Sequence, residues 1–220
     1  MVRFCIFDLD GTLLDTLDDL AACCNAMLQA RGLPSHPTDA YRQFVGNGVG
    51  NLIKSALPPH MRTDDVLAAC RADFGARYGA HCMDSTAPYP GVAAMLDALQ
   101  KRGVCLAVLS NKPEPFAQRM VEAFFGPDRF AAVFGQRAGL RRKPAPDGAL
   151  ALLARLGKTQ RETLLVGDSD VDVYTAQNAR LRCAGAGWGF RGSAELWRAG
   201  CDALLETPMD LLALLDNGAS

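Results

Sequence analysis

Short, wholly apolar runs alternate along most of the chain with longer segments of helical period. Six runs read as strands: VRFCIFDL (2–9), VCLAVLS (104–110), AAVFG (131–135), TLLVGD (163–168), RCAGAGW (182–188) and DALLE (202–206). Most carry apolar residues at consecutive rather than alternate positions, as strands covered on both faces of a parallel sheet do. The helical segments between them have legible ends. Pro90 precedes GVAAMLDALQKRG, which stops at Gly103; PAPDGALALLARLG stops at Gly157; PMDLLALLDN is the last of the series. Strand–helix alternation of this kind predicts an α/β fold with a doubly wound, mostly parallel sheet.

One interval breaks the rhythm. From about Leu14 to Ala87 there is no convincing strand, only helical patterns. The first, TLDDLAACCNAMLQARG, puts Leu17, Leu20, Cys24 and Leu28 on one face, with Thr16 as a cap and Gly32 after the end. Then come TDAYRQFV, a GNG break, VGNLIKSAL and a longer helical stretch near 63–81. Roughly 70 helical residues are too many for a crossover between two strands. The expected organisation is a core of residues 1–15 and 87–220 with an all-α cap, 16–86, inserted after the first strand. Met27, Met95 and Met120 sit among apolar residues at helical spacing and read as core.

Composition narrows the function. The chain has 220 residues, 49% hydrophobic and 21% charged, enough to bury a substantial core. With 23 basic and 24 acidic residues the net charge is −1, which argues against broad nucleic-acid or membrane-surface binding. Eight cysteines form no CxxC pair, so buried thiols in a reducing compartment are expected rather than disulfides or zinc. No run of about 18 apolar residues exists, and no cationic stretch precedes an apolar one at the start, so a soluble, unprocessed, cytoplasmic protein is expected. No nucleic-acid or membrane partner is expected from this balance, and a monomer and a homodimer both remain open.

The chemistry gathers at predicted strand ends, where ligands bind in open α/β sheets. FDLDGT (7–12) places Asp8 and Asp10 one residue apart behind an apolar run, followed by Gly11 and Thr12. LSNK (109–112) supplies Ser110, Asn111 and Lys112; RRKPAP (141–146) supplies Lys143; VGDSDVD (166–172) supplies Asp168, Ser169, Asp170 and Asp172. Carboxylates from two strand ends suit Mg²⁺, a hard cation that takes oxygen ligands and bridges carboxylates to phosphate. A hydroxyl, an amide and a lysine at the same edge can hold phosphate oxygens. Asp8 could then act as a nucleophile, forming an aspartyl-phosphate, and Asp10 as a general acid and base. An Asp-Gly turn closing a strand would need no such chemistry, but it would not account for Asp168, Ser110 and Lys143 together.

These four motifs, in this order, resemble the haloacid dehalogenase superfamily on its phosphatase side, and the likeness extends over essentially the whole chain. It implies a Rossmann-like core with a type 1 helical cap and a Mg²⁺-dependent phosphomonoester hydrolase acting on a small phosphorylated metabolite. Asp8 would be nucleophile and metal ligand, and Asp10 general acid/base and a metal ligand through its backbone carbonyl. Asp168 would anchor the metal, and Asp172 would hold it or its water. Ser110 and Asn111 would bind the phosphoryl group, and Lys143 would neutralise charge on Asp8 and the phosphate. Family dehalogenases lack an aspartate two residues after the nucleophile, and phosphonatases carry a small apolar residue there. Asp10 argues against both, whereas mutases of this fold keep it. NARLR (178–182) departs from the family, which carries Ala-Gly at that helix end.

Around this centre Gly11, Thr12 and Ser169 are expected to support the turn and the ligands rather than react. In the cap, Arg42 and the Gly46-Asn47-Gly48 loop read equally as substrate contacts or as a plain turn. Asp170 reads as a capping acid, Arg141 and Arg142 as solvated, and Trp188 and Trp197 as packing. His36, His60 and His81 read as surface or cap packing. Related phosphatases for sugar phosphates, nucleotides or pyrophosphate remain alternatives, as does a phosphohexose mutase. Outside enzymes, a phospho-receiver or a non-catalytic binding module remains. A receiver carries adjacent acids and no large cap, and steady turnover of p-nitrophenyl phosphate would separate it from an enzyme.

Overall fold

A computed structural model describes residues 1–217. It divides the chain into two compact units, Met1–Leu14 with Pro88–Ser220, and Asp15–Ala87. Strand β1 (Phe4–Phe7) lies in the first, and the crossings between units fall in the two-residue strands β2 (Leu14–Asp15) and β3 (Ala87–Pro88). Segments this short leave no periodicity to read, and the sequence patterns do not anticipate them.

The second unit contains helices α1 (Leu17–Gln29), α2 (Tyr41–Phe44), α3 (Val49–Ala56) and α4 (Asp64–His81), with short 3-10 turns before α2 and before α4. The face anticipated for α1 is buried through Leu17, Leu20, Cys24 and Leu28. Leu52, Ile53, Phe74 and Tyr78 are buried from α3 and α4. Thr16 precedes α1 but gives no side-chain cap; Asp15 Oδ1 instead accepts from Leu17 N at 3.3 Å. His36 packs edge-on against Phe44 and shares a 2.8 Å hydrogen bond with the Ala56 carbonyl, a packing role.

Asp19 ties the two ends of this unit together. Buried on the first turn of α1, it accepts from Ser85 N at 2.9 Å, Thr86 N at 2.9 Å and Thr86 Oγ1 at 2.7 Å. Removing the acceptor strands buried donors, each of which costs free energy when left unmade. Asp19→Ala is therefore expected to lower stability by about 2–3 kcal/mol, read as a shift in the urea midpoint. An unchanged midpoint would discount the clamp.

Among the described residues the first unit holds a six-stranded sheet. Its further strands are β4 (Cys105–Pro113), β5 (Ala132–Gln136), β6 (Thr163–Gly167), β7 (Arg182–Ala186) and β8 (Ala203–Leu205). The order is β5-β4-β1-β6-β7-β8, and every neighbouring pair is parallel. This is the expected doubly wound α/β sheet. Its helices are α5 (Val92–Lys101), α6 (Glu114–Phe125), α7 (Asp147–Leu156), α8 (Asp170–Ala179), α9 (Ser193–Ala199) and α10 (Asp210–Asn217).

All four residues of β1 are buried, which explains its unbroken apolar run. Phe4 and Ile6 join a cluster with Leu109, Leu152, Val173 and Ala176. Burying each large side chain of this kind contributes about 1.5–3 kcal/mol. The centrality of β1 has a functional consequence. The chain first builds outward on one side through β4 and β5, then returns to β1's other edge for β6, β7 and β8. A sheet that reverses direction in this way opens a crevice at the carboxyl ends of the strands flanking the reversal.

Helix α8 ends at Arg180, which takes φ 57° at its cap, in the left-handed region that favours glycine. The turn forms with arginine there at a strain cost of about 1 kcal/mol. No helix among the described residues is long and apolar enough to cross a membrane.

Candidate active site

The central strands deliver the motif residues to one end of the sheet. Asp8 follows β1, and its N–H donates to the Val166 carbonyl on β6 at 2.9 Å, continuing the parallel ladder. Ser110, Asn111 and Lys112 lie on the last part of β4, and Asp168 follows β6. Ser169 and Asp172 form a capping box at the start of α8. Asp8, Asp168 and Asp172 are all buried, and each offers a carboxylate oxygen within 4.8 Å of the others.

Lys143 stands between two of these acids. Its Nζ lies 2.8 Å from Asp8 Oδ1 and 2.6 Å from Asp172 Oδ1, with 3% of the side chain exposed. Its backbone is pinned by Asn111, whose Nδ2 donates to the Lys143 carbonyl at 3.0 Å and whose Oδ1 accepts from Lys143 N at 2.9 Å. The Asn111 amide thus holds the loop that carries the lysine, where the sequence motif pointed to the phosphoryl group. Asp172 also has two tasks: Oδ2 accepts from Ser169 Oγ at 2.7 Å while Oδ1 meets Lys143.

Asp168 is held by backbone and hydroxyl donors. Thr12 Oγ1 donates to Oδ1 at 3.1 Å, and Phe190 N donates to Oδ2 at 2.8 Å. Trp188 Nε1 in turn donates to the Thr12 carbonyl at 3.0 Å, so this tryptophan braces the turn that follows Asp8. A Cβ on Gly11, which has φ +85°, would lie 2.3 Å from Asp168 Oδ2, and one on Gly189 would lie 2.2 Å from Asp168 Cβ. Glycine at both positions lets backbone close on the acid.

The family model for haloacid dehalogenase-like hydrolases matches residues 5–186. The chain belongs to that family. Among curated members it is similar to the phosphoglycolate phosphatase of Pseudomonas putida strain KT2440, at 36% identity over 86% of this chain and 70% of that one. It is similar also to the phosphoglycolate phosphatase of Aquifex aeolicus, at 32% identity over 98% of each chain. In structure it resembles a predicted phosphoglycolate phosphatase from Haemophilus somnus, with a TM-score of 0.89 and 28% identity, covering 97% of this chain and 98% of that one.

In this haloacid dehalogenase-like hydrolase the charge balance of the site is unfavourable without a further cation. Burial pushes the Asp8 carboxyl up to about 7, with Asp172 and Asp10 adding to the rise and Lys143 opposing it. Asp168 is driven well above the ordinary carboxylate range by burial, then by Asp172 and Asp8. Burial works against the Lys143 ammonium too, but Asp172 and Asp8 outweigh it and hold the group above its usual value. One ammonium faces three buried acids whose oxygens converge, a donor set that fits a hard divalent ion.

Asp10 stays outside that convergence. Its Oδ1 meets Lys112 Nζ at 2.7 Å, a pair the motifs do not bring out. The spacing of Lys112, two residues beyond Ser110 on the same strand, is the signal that could have found it. Arg141 and Arg142 lie in the loop before Lys143, Arg141 paired with Asp147 at 2.7 Å. Arg42 and the Gly46–Gly48 loop belong to the second unit, where Arg42 Nε pairs with Asp39 at 2.8 Å.

Proposed function

We propose that the chain is a Mg²⁺-dependent phosphomonoester hydrolase working through an aspartyl-phosphate on Asp8, with phosphoglycolate as its first candidate substrate. The observation that carries this reading is the buried group of Asp8, Asp168 and Asp172 with Lys143 bridging Asp8 and Asp172. Side-chain oxygens of Asp8 and Asp168, the backbone carbonyl of Asp10, and Asp172 directly or through water would hold the metal. When bound it supplies positive charge beside the phosphoryl oxygens.

The chain's own groups account for the rest. A carboxylate oxygen of Asp8 forms a bond to phosphorus as the ester P–O bond breaks, and Asp10 gives its proton to the leaving oxygen. Asp10 then takes a proton from water as the water oxygen bonds to phosphorus and the Asp8–phosphorus bond breaks. The Ser110 hydroxyl and the backbone N–H of Asn111 orient the phosphoryl group, and Lys143 offsets the charge gathering on it. Arg42, Gly46, Asn47 and Gly48 are the candidates for selectivity within the second unit. Unpaired thiols at all eight cysteines suit a cytoplasmic location.

The test is a panel of phosphorylated metabolites, with phosphoglycolate, sugar phosphates, nucleotides, pyrophosphate and p-nitrophenyl phosphate assayed with Mg²⁺. Phosphoglycolate is expected to show the highest kcat/KM. A tenfold or greater advantage for another ester, about 1.4 kcal/mol in transition-state binding, would displace the named substrate and leave the hydrolase. No turnover on any member would overturn the hydrolase itself.

A further inference from the structure

Strand β4 brings a second buried ammonium to the site, in addition to the Lys143 motif. Lys112 has 3% of its side chain exposed, and its Nζ donates to Asp10 Oδ1 at 2.7 Å. Asp10 itself is only 14% exposed, so water screens the pair weakly. A buried ammonium is costly unless paired, which makes its placement beside this particular carboxylate informative.

The backbone around Asp10 is well fixed. Gly11 N donates to the Leu14 carbonyl at 2.9 Å, Thr12 Oγ1 reaches Asp168, and Trp188 braces the Thr12 carbonyl. Those restraints hold the turn but do not choose the side-chain torsions of Asp10, which has staggered alternatives. Lys112 supplies that choice from the neighbouring strand. Its own backbone N–H donates to Ser110 Oγ at 3.3 Å, so hydroxyl, lysine and carboxylate are connected in series.

We propose that Lys112 is a positioning residue that aims the Asp10 carboxylate at the oxygen to which Asp10 delivers, and from which it takes, a proton. The inference rests on the proton-carrying role given to Asp10 above and adds the group that orients it. Lys112 does not exchange a proton in either step. A rival use, direct capture of the substrate's phosphoryl or acid group by Lys112, makes a different prediction.

The test is a double-mutant cycle on the full chain with Mg²⁺, using Lys112→Met, Lys112→Gln, Asp10→Asn and the Asp10→Asn/Lys112→Met pair. An alkyl phosphate and p-nitrophenyl phosphate serve as substrates, and thermal melting checks each fold. Lys112→Met and Lys112→Gln are expected to lower kcat on the alkyl ester about tenfold or more, with KM changed less than about threefold. The loss on p-nitrophenyl phosphate is expected to be smaller, because its leaving group needs little protonation. In the Asp10→Asn background, Lys112→Met is expected to change kcat less than about twofold, since the group it aims is gone.

The same factor lost in both backgrounds would overturn the inference, as would a loss confined to KM. Full activity in Asp10→Asn would be a different failure: it would remove the proton-carrying role and this inference with it. Lys112→Gln keeps a polar head beside Asp10, so the comparison stands if the methionine variant does not fold.

Discussion

Asp8→Asn is expected to abolish turnover of every phosphate ester while leaving the chain folded. The amide cannot form the bond to phosphorus, and loss of a nucleophile typically costs at least about 10⁴ in kcat. The fold has reason to tolerate the change. Asn is nearly isosteric, and its Oδ1 can still accept from Leu9 N, which lies 2.7 Å from Asp8 Oδ1, and from Lys143. Lys143 also keeps Asp172. Burial pushes Asp8 up to about 7, so a charge there is unfavourable in the metal-free fold. Thermal melting of metal-free Asp8→Asn at pH 8 should therefore occur at or above the wild-type midpoint. Retained turnover would transfer the chemistry elsewhere, and a collapsed melting curve would make Asp8 a structural acid.

Removing the divalent metal should silence the enzyme to a similar degree, and pH reveals why. An unfolded aspartate releases its proton near about 4, whereas Asp8 in the fold retains it to about 7, chiefly through burial. Between those values the folded chain binds more protons than the unfolded one. Metal-free stability from this group is consequently present at low pH and declines as pH rises through that window. Asp168, raised by burial and by Asp172 and Asp8, acts in the same direction. A cation that takes these carboxylates must displace their protons, so Mg²⁺ should bind more tightly as pH rises. The melting shift produced by 5–10 mM Mg²⁺, a concentration chosen for the assay, should be larger at pH 8 than at pH 5.5. EDTA should abolish turnover and Mg²⁺ restore it. Equal melting shifts at both pH values would contradict the linkage, and full activity in EDTA would exclude a metal requirement.

The six strands of the large sheet could be read from the chain because strands buried on both faces need apolar residues at consecutive positions. The burial of β1 and β6 at every residue bears that out. The motif acids were legible for a related reason: polar residues directly behind such runs stand out, and parallel strands collect them at one end. What escaped the pattern lies between segments remote in the chain. Asn111 reaches Lys143 across 32 positions, and Lys112 reaches Asp10 across 102. No local period encodes such meetings. The backbone donor at Phe190 was hidden more deeply, since an N–H carries no side-chain identity. Strands β2 and β3 escaped because two residues cannot establish an alternation.

The reciprocal hydrogen bonds between Asn111 and the Lys143 backbone also bear on how this scaffold can be re-engineered. They make the end of β4 and the loop 137–143 a single interlocking part, although each looks like an independent module along the chain. A graft that imports that loop from a relative without a matching amide at 111 would deliver the right lysine on an unanchored tether. The two segments are best exchanged together.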